Sequence, residues 1–233
     1  MRADSKEVFL DFVRLVVAGE EDQVARRLAA DPDLATAASG VGATRQEAST
    51  FFFTEIAHYL YAGDTALHMA AAAFRRPVAE LLVAHGADCR AKNRRGAEPL
   101  HYAADANRWN PDAQAEVIEY LAAIGADPNA LDNSGVSPLH RAVRTRSSSA
   151  VRALLDAGAN PTQPNTSGST PLHLAVQNTG RGGSGSERAR QQQAAIIRLL
   201  LERGAKPSDQ DRRGKQVYEA ATSEWIRTLL IEA

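Results

Sequence analysis

The chain has very little sulfur. A single cysteine, Cys89, occurs in 233 residues, which excludes an internal disulfide and every multi-cysteine metal site and points to a reducing, cytoplasmic compartment. Aromatic residues are scarce at 6%, although apolar residues reach 44%, and the 44 alanines make up the difference. Such a composition packs thin, closely spaced helices rather than a bulky aromatic core. Net charge is almost absent, with 27 Lys and Arg against 28 Asp and Glu. Neither a generally basic nucleic-acid coat nor an acidic solvating tail fits that balance. No apolar run approaches the roughly 20 residues of a membrane span. The first apolar stretch, residues 9–17, is broken by Asp11 and Arg14, which makes a poor signal-peptide core. His-x-x-x-His and Cys-x-x-Cys pairs are missing too, so neither a transition metal nor another cofactor is expected.

What the sequence does have is repetition. Four segments share a Gly-x-x-x-Leu-His frame, starting at Gly63, Gly96, Gly135 and Gly168, and each is followed by an apolar stretch and a Gly-Ala pair at 86, 125, 158 and 204. The frame leucines, at 67, 100, 139 and 172, are spaced by 33, 39 and 33 residues. Two repeats are therefore of standard length and two carry insertions, 6 and 13 residues long. The frame reads as a turn feeding a helix. Its glycine suits a left-handed backbone, Ser137 and Thr170 suit an N-cap, and Pro138 and Pro171 suit the first helical position. Thr65-Ala66 lacks the proline and Glu98-Pro99 lacks the hydroxyl. Behind each frame two short helices are expected, with Leu67, Ala70 and Ala71 inward on one and Val78, Leu81 and Leu82 inward on the next. Neither helix can bury its apolar face alone, so neighbours must supply the core.

Thr170-Pro171-Leu172-His173-Leu174-Ala175, Gly158-Ala159-Asn160-Pro161 and Gly125-Ala126-Asp127-Pro128-Asn129 resemble the ankyrin repeat, with its T-P-L-H-x-A frame and G-A-D-x-N turn. The resemblance covers residues 60–233. It implies an all-α ankyrin-repeat solenoid of stacked helix pairs with hairpin-like fingers along one edge. The expected layout begins with a degenerate capping pair over 1–36 and an irregular aromatic insert over 37–61. Four repeats follow over 62–210 (about 60–92, 93–131, 132–164 and 165–210), and a closing half-repeat spans 211–233, the whole forming one domain. Residues 51–61 read as either a short helix or an extended strand. A helix is expected to begin at Gln191-Gln192-Gln193.

Few residues invite catalysis. The resemblance gives His68, His101, His140 and His173 a structural role, tying adjacent turns by hydrogen bonds. His85 suits a helix end. His58 lacks such a role, and its aromatic neighbourhood favours a buried, satisfied ring. Residues 180–186 are Gly-rich but lack the Gly-Lys-Ser/Thr ending of a phosphate loop and follow a helix, so a flexible insertion fits better. Cys89 has Arg90 beside it but no base placed by the sequence. No enzyme activity is expected.

Ankyrin stacks bind through a concave side, and the resemblance maps it onto this chain. Its positions are Lys92, Arg94, Arg95, Asn133, Ser134, Arg212, Arg213 and Lys215 at finger tips, with Asp105, Arg144, Gln177 and Asn178 at inner-helix ends. Trp109, in the first insertion, is a candidate interface anchor. Among the mapped charges seven are basic, and against them stand Asp105 and, in the first repeat, Asp64. Arg141 and Arg146 stand to add to the excess. A groove preferring an acidic protein partner is one reading, and solvated turns that merely collect charge are the other. Nucleic acid is not expected, for want of a recognisable motif. Three function classes stay open: a non-catalytic protein-interaction adaptor, a ligand site or enzyme at the insert around His58, and an oligomer held by that insert. The first is favoured, as a monomer. With 23 Arg against 4 Lys and abundant Ala, the composition hints at a high-GC bacterial genome.

Overall fold

Apolar residues at 9, 12, 13, 16 and 17 recur at helical spacing, and all five are buried on one face of α1 (Ala3–Ala18). The computed structural model describes residues 3–44, 46–105, 110–178 and 185–232. The chain divides into two compact units, Met1–Asp127 and Pro128–Ala233.

The first unit pairs α1 with α2 (Glu21–Ala30), α3 (Ala66–Ala72) with α4 (Arg76–Ala84), and α5 (Pro99–Ala104) with α6 (Pro111–Ala123). Within this unit α1, α3 and α5 pack in succession, as do α2, α4 and α6. Every residue of α3 is buried. Alanine at 66, 70, 71 and 72 lets its backbone approach its neighbours closely, which is the use the composition implied. On α4 the buried residues are Val78, Ala79 and Leu82. Leu81, expected inward, is only half-buried, because the short helix shows its neighbours a narrower stripe.

Between the first two helix pairs, residues 37–61 resolve the helix-or-strand alternative in favour of a strand. A single 3-10 turn, Ser49–Phe51, leads into a two-stranded antiparallel hairpin, β1 (Phe52–Phe53) and β2 (His58–Tyr59). Phe52 faces Tyr59 and Phe53 faces His58. The alternation buries Phe53 and leaves Phe52 exposed. Backbone bonds from Ser39 N to Asp64 O and from Gly63 N to Ser39 O stitch the insert to the first frame, and Ala43 N to Leu60 O closes the insert on itself.

The second unit pairs α7 (Pro138–Thr145) with α8 (Ser148–Asp156) and α9 (Pro171–Ala175) with α10 (Glu187–Glu202). Two short helices, α11 (Val217–Ala220) and α12 (Glu224–Ile231), close it against α9 and α10. Helix α10 begins at Glu187, four residues earlier than the expected start at Gln191, because Ser186 caps it by accepting from Ala189 N–H. The Gly-rich stretch at 179–184 lies outside the described residues.

All the frame glycines have positive φ, but close approach matters most at two of them. At Gly63 an added Cβ would sit 2.8 Å from Asn93 Cα, and at Gly168 it would collide with the backbone of Arg212. Successive fingers touch at these points through Arg94 N to Ala62 O (3.0 Å) and Arg212 N to Ser167 O (3.4 Å).

Each frame starts its helix with one reciprocal device. The backbone N–H of Thr65, Glu98, Ser137 and Thr170 donates to Nδ1 of the histidine three residues on, at 3.1, 3.1, 3.3 and 3.2 Å. With Nδ1 accepting, Nε2 carries the proton. It reaches the next finger at Ala97 O from His68 (3.0 Å), Ser169 O from His140 (3.1 Å) and Lys215 O from His173 (3.2 Å). Burial holds His140 below its ordinary pKa, consistent with this neutral form.

Glu98 supplies the cap that the missing hydroxyl of its frame seemed to deny. Its side chain accepts the His101 backbone N–H. The substitution has a cost: Glu98 is buried, Oε1 is 3.8 Å from Lys92 Nζ, and Oε2 has no hydrogen-bond partner. Burial pushes the Glu98 carboxyl above its ordinary pKa of 4.5. Folded Glu98 thus holds its proton to higher pH than unfolded Glu98. Its contribution to stability is fully present below the ordinary value and is lost as pH rises through the folded value. Glu98→Thr is therefore expected to be more stable than the parent at neutral pH, with the advantage shrinking as the pH falls toward 4.5. Urea melts between about pH 4 and 8 check this, and a gap independent of pH would contradict it.

Candidate functional site

The fingers are built on one side-chain device that the frame pattern alone did not reveal. Asn93, Asp132, Asn165 and Asp211 each use Oδ1 to accept two backbone N–H groups, two and four residues on, at 2.8–3.1 Å. Their own N–H closes the loop onto the carbonyl four residues on. The signal was readable, since Asn93, Asp132 and Asn165 each stand three residues before a frame glycine and Asp211 stands three before Gly214. Backbone donors hold Asp211 below the usual carboxylate range. Burial raises Asp132, but the N–H groups of Val136 and Ser134 and the Arg141 guanidinium outweigh it. These bonds define the backbone turn at each tip, from which the outward side chains project.

In the first unit Lys92, Arg94 and Arg95 are exposed, as expected of tips. Arg94 and Arg95 are not bare turn residues, however. Arg94 Nη2 donates to Ala43 O at 2.6 Å, and its guanidinium lies 5.5 Å from the centre of the Tyr61 ring. Arg95 lies over the same ring at 4.2 Å. Together with Thr44, Ala48 and Tyr59 they line a cleft of about 240 Å3. The two acidic residues set against the basic excess by the sequence do not face solvent. Asp105 is buried at the end of α5 instead of facing solvent. Asp64 is wholly buried: its carboxyl accepts Tyr61 N–H (2.6 Å) and Asn93 Nδ2 (2.8 Å) and lies 2.8 and 2.9 Å from the Tyr102 hydroxyl. Trp109 lies outside the described residues.

In the second unit Asn133, Ser134, Arg144, Gln177, Asn178, Arg212, Arg213 and Lys215 are all exposed. The tips are linked in order, Ser134 O accepting from Thr166 Oγ1 (2.8 Å) and Ser167 O from Arg212 N. The helix-end residues are tied differently. Gln177 O accepts from Arg146 Nη2 (3.1 Å) and Gln193 Nε2 (2.9 Å), and Asn178 Oδ1 accepts from the Ser223 hydroxyl (2.6 Å). Arg141 does not join the basic excess, because it is buried and paired with Asp132 at 2.9 Å. Arg146 is half-buried in a left-handed position at the end of α7.

The remaining candidates take structural positions. His58 Nδ1 is 2.8 Å from Tyr59 O, and its ring packs on Tyr102 with centroids 4.6 Å apart. His85 Nδ1 is 2.8 Å from Leu81 O, at the end of α4. Burial raises the Cys89 thiol, opposite to what a reactive thiolate needs. Among the described residues no cluster of His, Cys, Asp and Glu is placed to hold a metal ion, and no helix is long and apolar enough to cross a membrane.

Comparison with known families gives two overlapping matches to one described as ankyrin repeats in three copies, over residues 47–132 and 109–211. No curated protein matches the chain.

Proposed function

Because the chain belongs to the ankyrin repeat family, whose repeats are generally protein–protein interaction modules and typically non-catalytic, we propose that it is a non-catalytic adaptor for an acidic protein segment. The residues proposed to contact such segments are Lys92, Arg94 and Arg95 in the first unit, and Asn133, Ser134, Arg144, Gln177, Asn178, Arg212, Arg213 and Lys215 in the second. One observation carries the reading. Every exposed charge among the mapped positions is basic, and the two acidic residues that would oppose them are buried. Arginine suits the role, since its planar fork matches a carboxylate. The single cysteine and the Arg- and Ala-rich composition support a cytoplasmic, bacterial setting, and a monomer is part of the same proposal. The division into caps, insert and four repeats belongs to the same proposal.

The test is affinity capture from the native host with the wild-type chain as bait, followed by titration of the captured partner. The triple variant Arg212→Glu, Arg213→Glu, Lys215→Glu is expected to weaken that partner by more than about tenfold, since opposed charge defeats both encounter and pairing. Its melting temperature should hardly move, because exposed substitutions change stability by roughly half a kilocalorie or less. Binding should also weaken steeply with salt, as screening acts over about 8–10 Å at physiological ionic strength. Arg26→Glu with Arg27→Glu on α2 is the control. If the control weakens binding and the triple variant does not, the reading is wrong.

A further inference from the structure

The cleft at the second finger has the makings of a defined subsite. All its described walls belong to the first unit: Ala43, Thr44, Ala48, Tyr59 and Tyr61 of the insert, with Arg94 and Arg95 of the second finger. Among the described residues no carboxylate lines it, and Glu47, three residues beyond Thr44, is exposed and not part of the lining. The two arginines are unequal. Arg94 is anchored to the Ala43 carbonyl. Arg95 has no side-chain hydrogen bond or ion pair among the described residues, and is held over Tyr61 by its ring contact at 4.2 Å. A guanidinium resting on a ring keeps its N–H edge directed outward, ready for a bidentate acceptor, with little rotamer freedom left to lose. Beside it, the Thr44 hydroxyl already accepts from Glu47 N–H at 3.1 Å and keeps its proton for an acceptor. Tyr59 packs on exposed Phe52, centroids 4.7 Å apart, so an apolar shelf adjoins the charged mouth.

We propose that this cleft is a recognition subsite for one carboxylate side chain of an acidic peptide, clamped by Arg95 and Thr44, with a neighbouring apolar side chain on Phe52 and Tyr59. The inference rests on the reading of the chain as an interaction module and names where recognition is focused. Size argues for a side chain: about 240 Å3 falls below the roughly 300–1,000 Å3 of small-molecule pockets. Charge argues for a carboxylate. Among the described residues one guanidinium is uncommitted, which matches a singly charged planar acceptor, whereas a phosphate dianion calls for several donors.

The probe is a fluorescein-labelled peptide of alternating Glu and Phe, titrated by anisotropy against the whole chain and compared with its Gln counterpart. Saturable binding is expected, about tenfold or more weaker for the Gln peptide and for Arg95→Ala. Arg95→Lys should fall between, because it keeps the charge and loses the fork. The Arg Nε–Hε resonance that disappears in Arg95→Lys should shift when the Glu peptide is added to the wild type. Arg26→Ala with Arg27→Ala on α2 is the control and should bind as the wild type does. Equal binding by Arg95→Ala, equal binding of the Gln peptide, displacement by inorganic phosphate at matched concentration, or no saturable binding would each overturn the subsite. The capture experiment above alters the second unit, so it stands or falls separately.

Discussion

Asp64→Ala is expected to destabilise the first unit by about 3–5 kcal/mol, because it leaves three buried donors without their acceptor. The carboxyl is fully buried and serves three groups at once: the Tyr61 N–H, the Asn93 amide and the Tyr102 hydroxyl. These come from the insert, the second finger and α5, so the loss is felt where three segments meet. Each donor left without an acceptor costs roughly 1–3 kcal/mol. The Tyr102 ring also supports His68 at 5.0 Å and His58 at 4.6 Å. Urea unfolding measures the loss. Adding Tyr102→Phe should recover part of it, because one orphaned hydroxyl goes with it, and the double-mutant cycle should show coupling. A loss below about 1 kcal/mol would mean water satisfies these groups in place of Asp64.

Leu139→Ala should cost about 2–5 kcal/mol in the second unit. Leu139 is fully buried on α7, among α8 and α9. The packed helices around it can refill the space of the lost isobutyl group only in part. Repeat units rely on adjacent units for burial, so the loss should propagate to neighbouring helices. Amide exchange resolved along α7, α8 and α9 would show protection falling together. A change under half a kilocalorie in a urea melt would contradict the inward placement of the frame leucine.

The helix pairs, the Ser and Thr caps of the frames and the end glycines were legible because they depend on residues within four positions of each other. Pro138 and Ser137 define a helix start wherever they stand, and Gly158 defines an end. The charge map was legible only in part. Arg212, Arg213 and Lys215 sit in a turn whose conformation Asp211 sets locally, and they are exposed as their positions imply. Glu98 hid its capping role because a carboxylate in a hydroxyl position reads as a defect, and only burial shows that it caps at a cost.

The sequence alone determined the period, the helix starts and stops, and the shape of each finger, since these are short-range matters of φ, hydrogen-bond reach and 3.6-residue spacing. The tertiary structure decided which polar groups face water. Asp64 and Tyr102 stand 38 positions apart, and Arg94 and Ala43 are separated by 51. Spacing tells a side chain which way to leave the backbone but not what will cover it. The covering segment here is the insert, whose hairpin carries no repeat signal. Its packing turns two solvated arginines into one wall of a cleft.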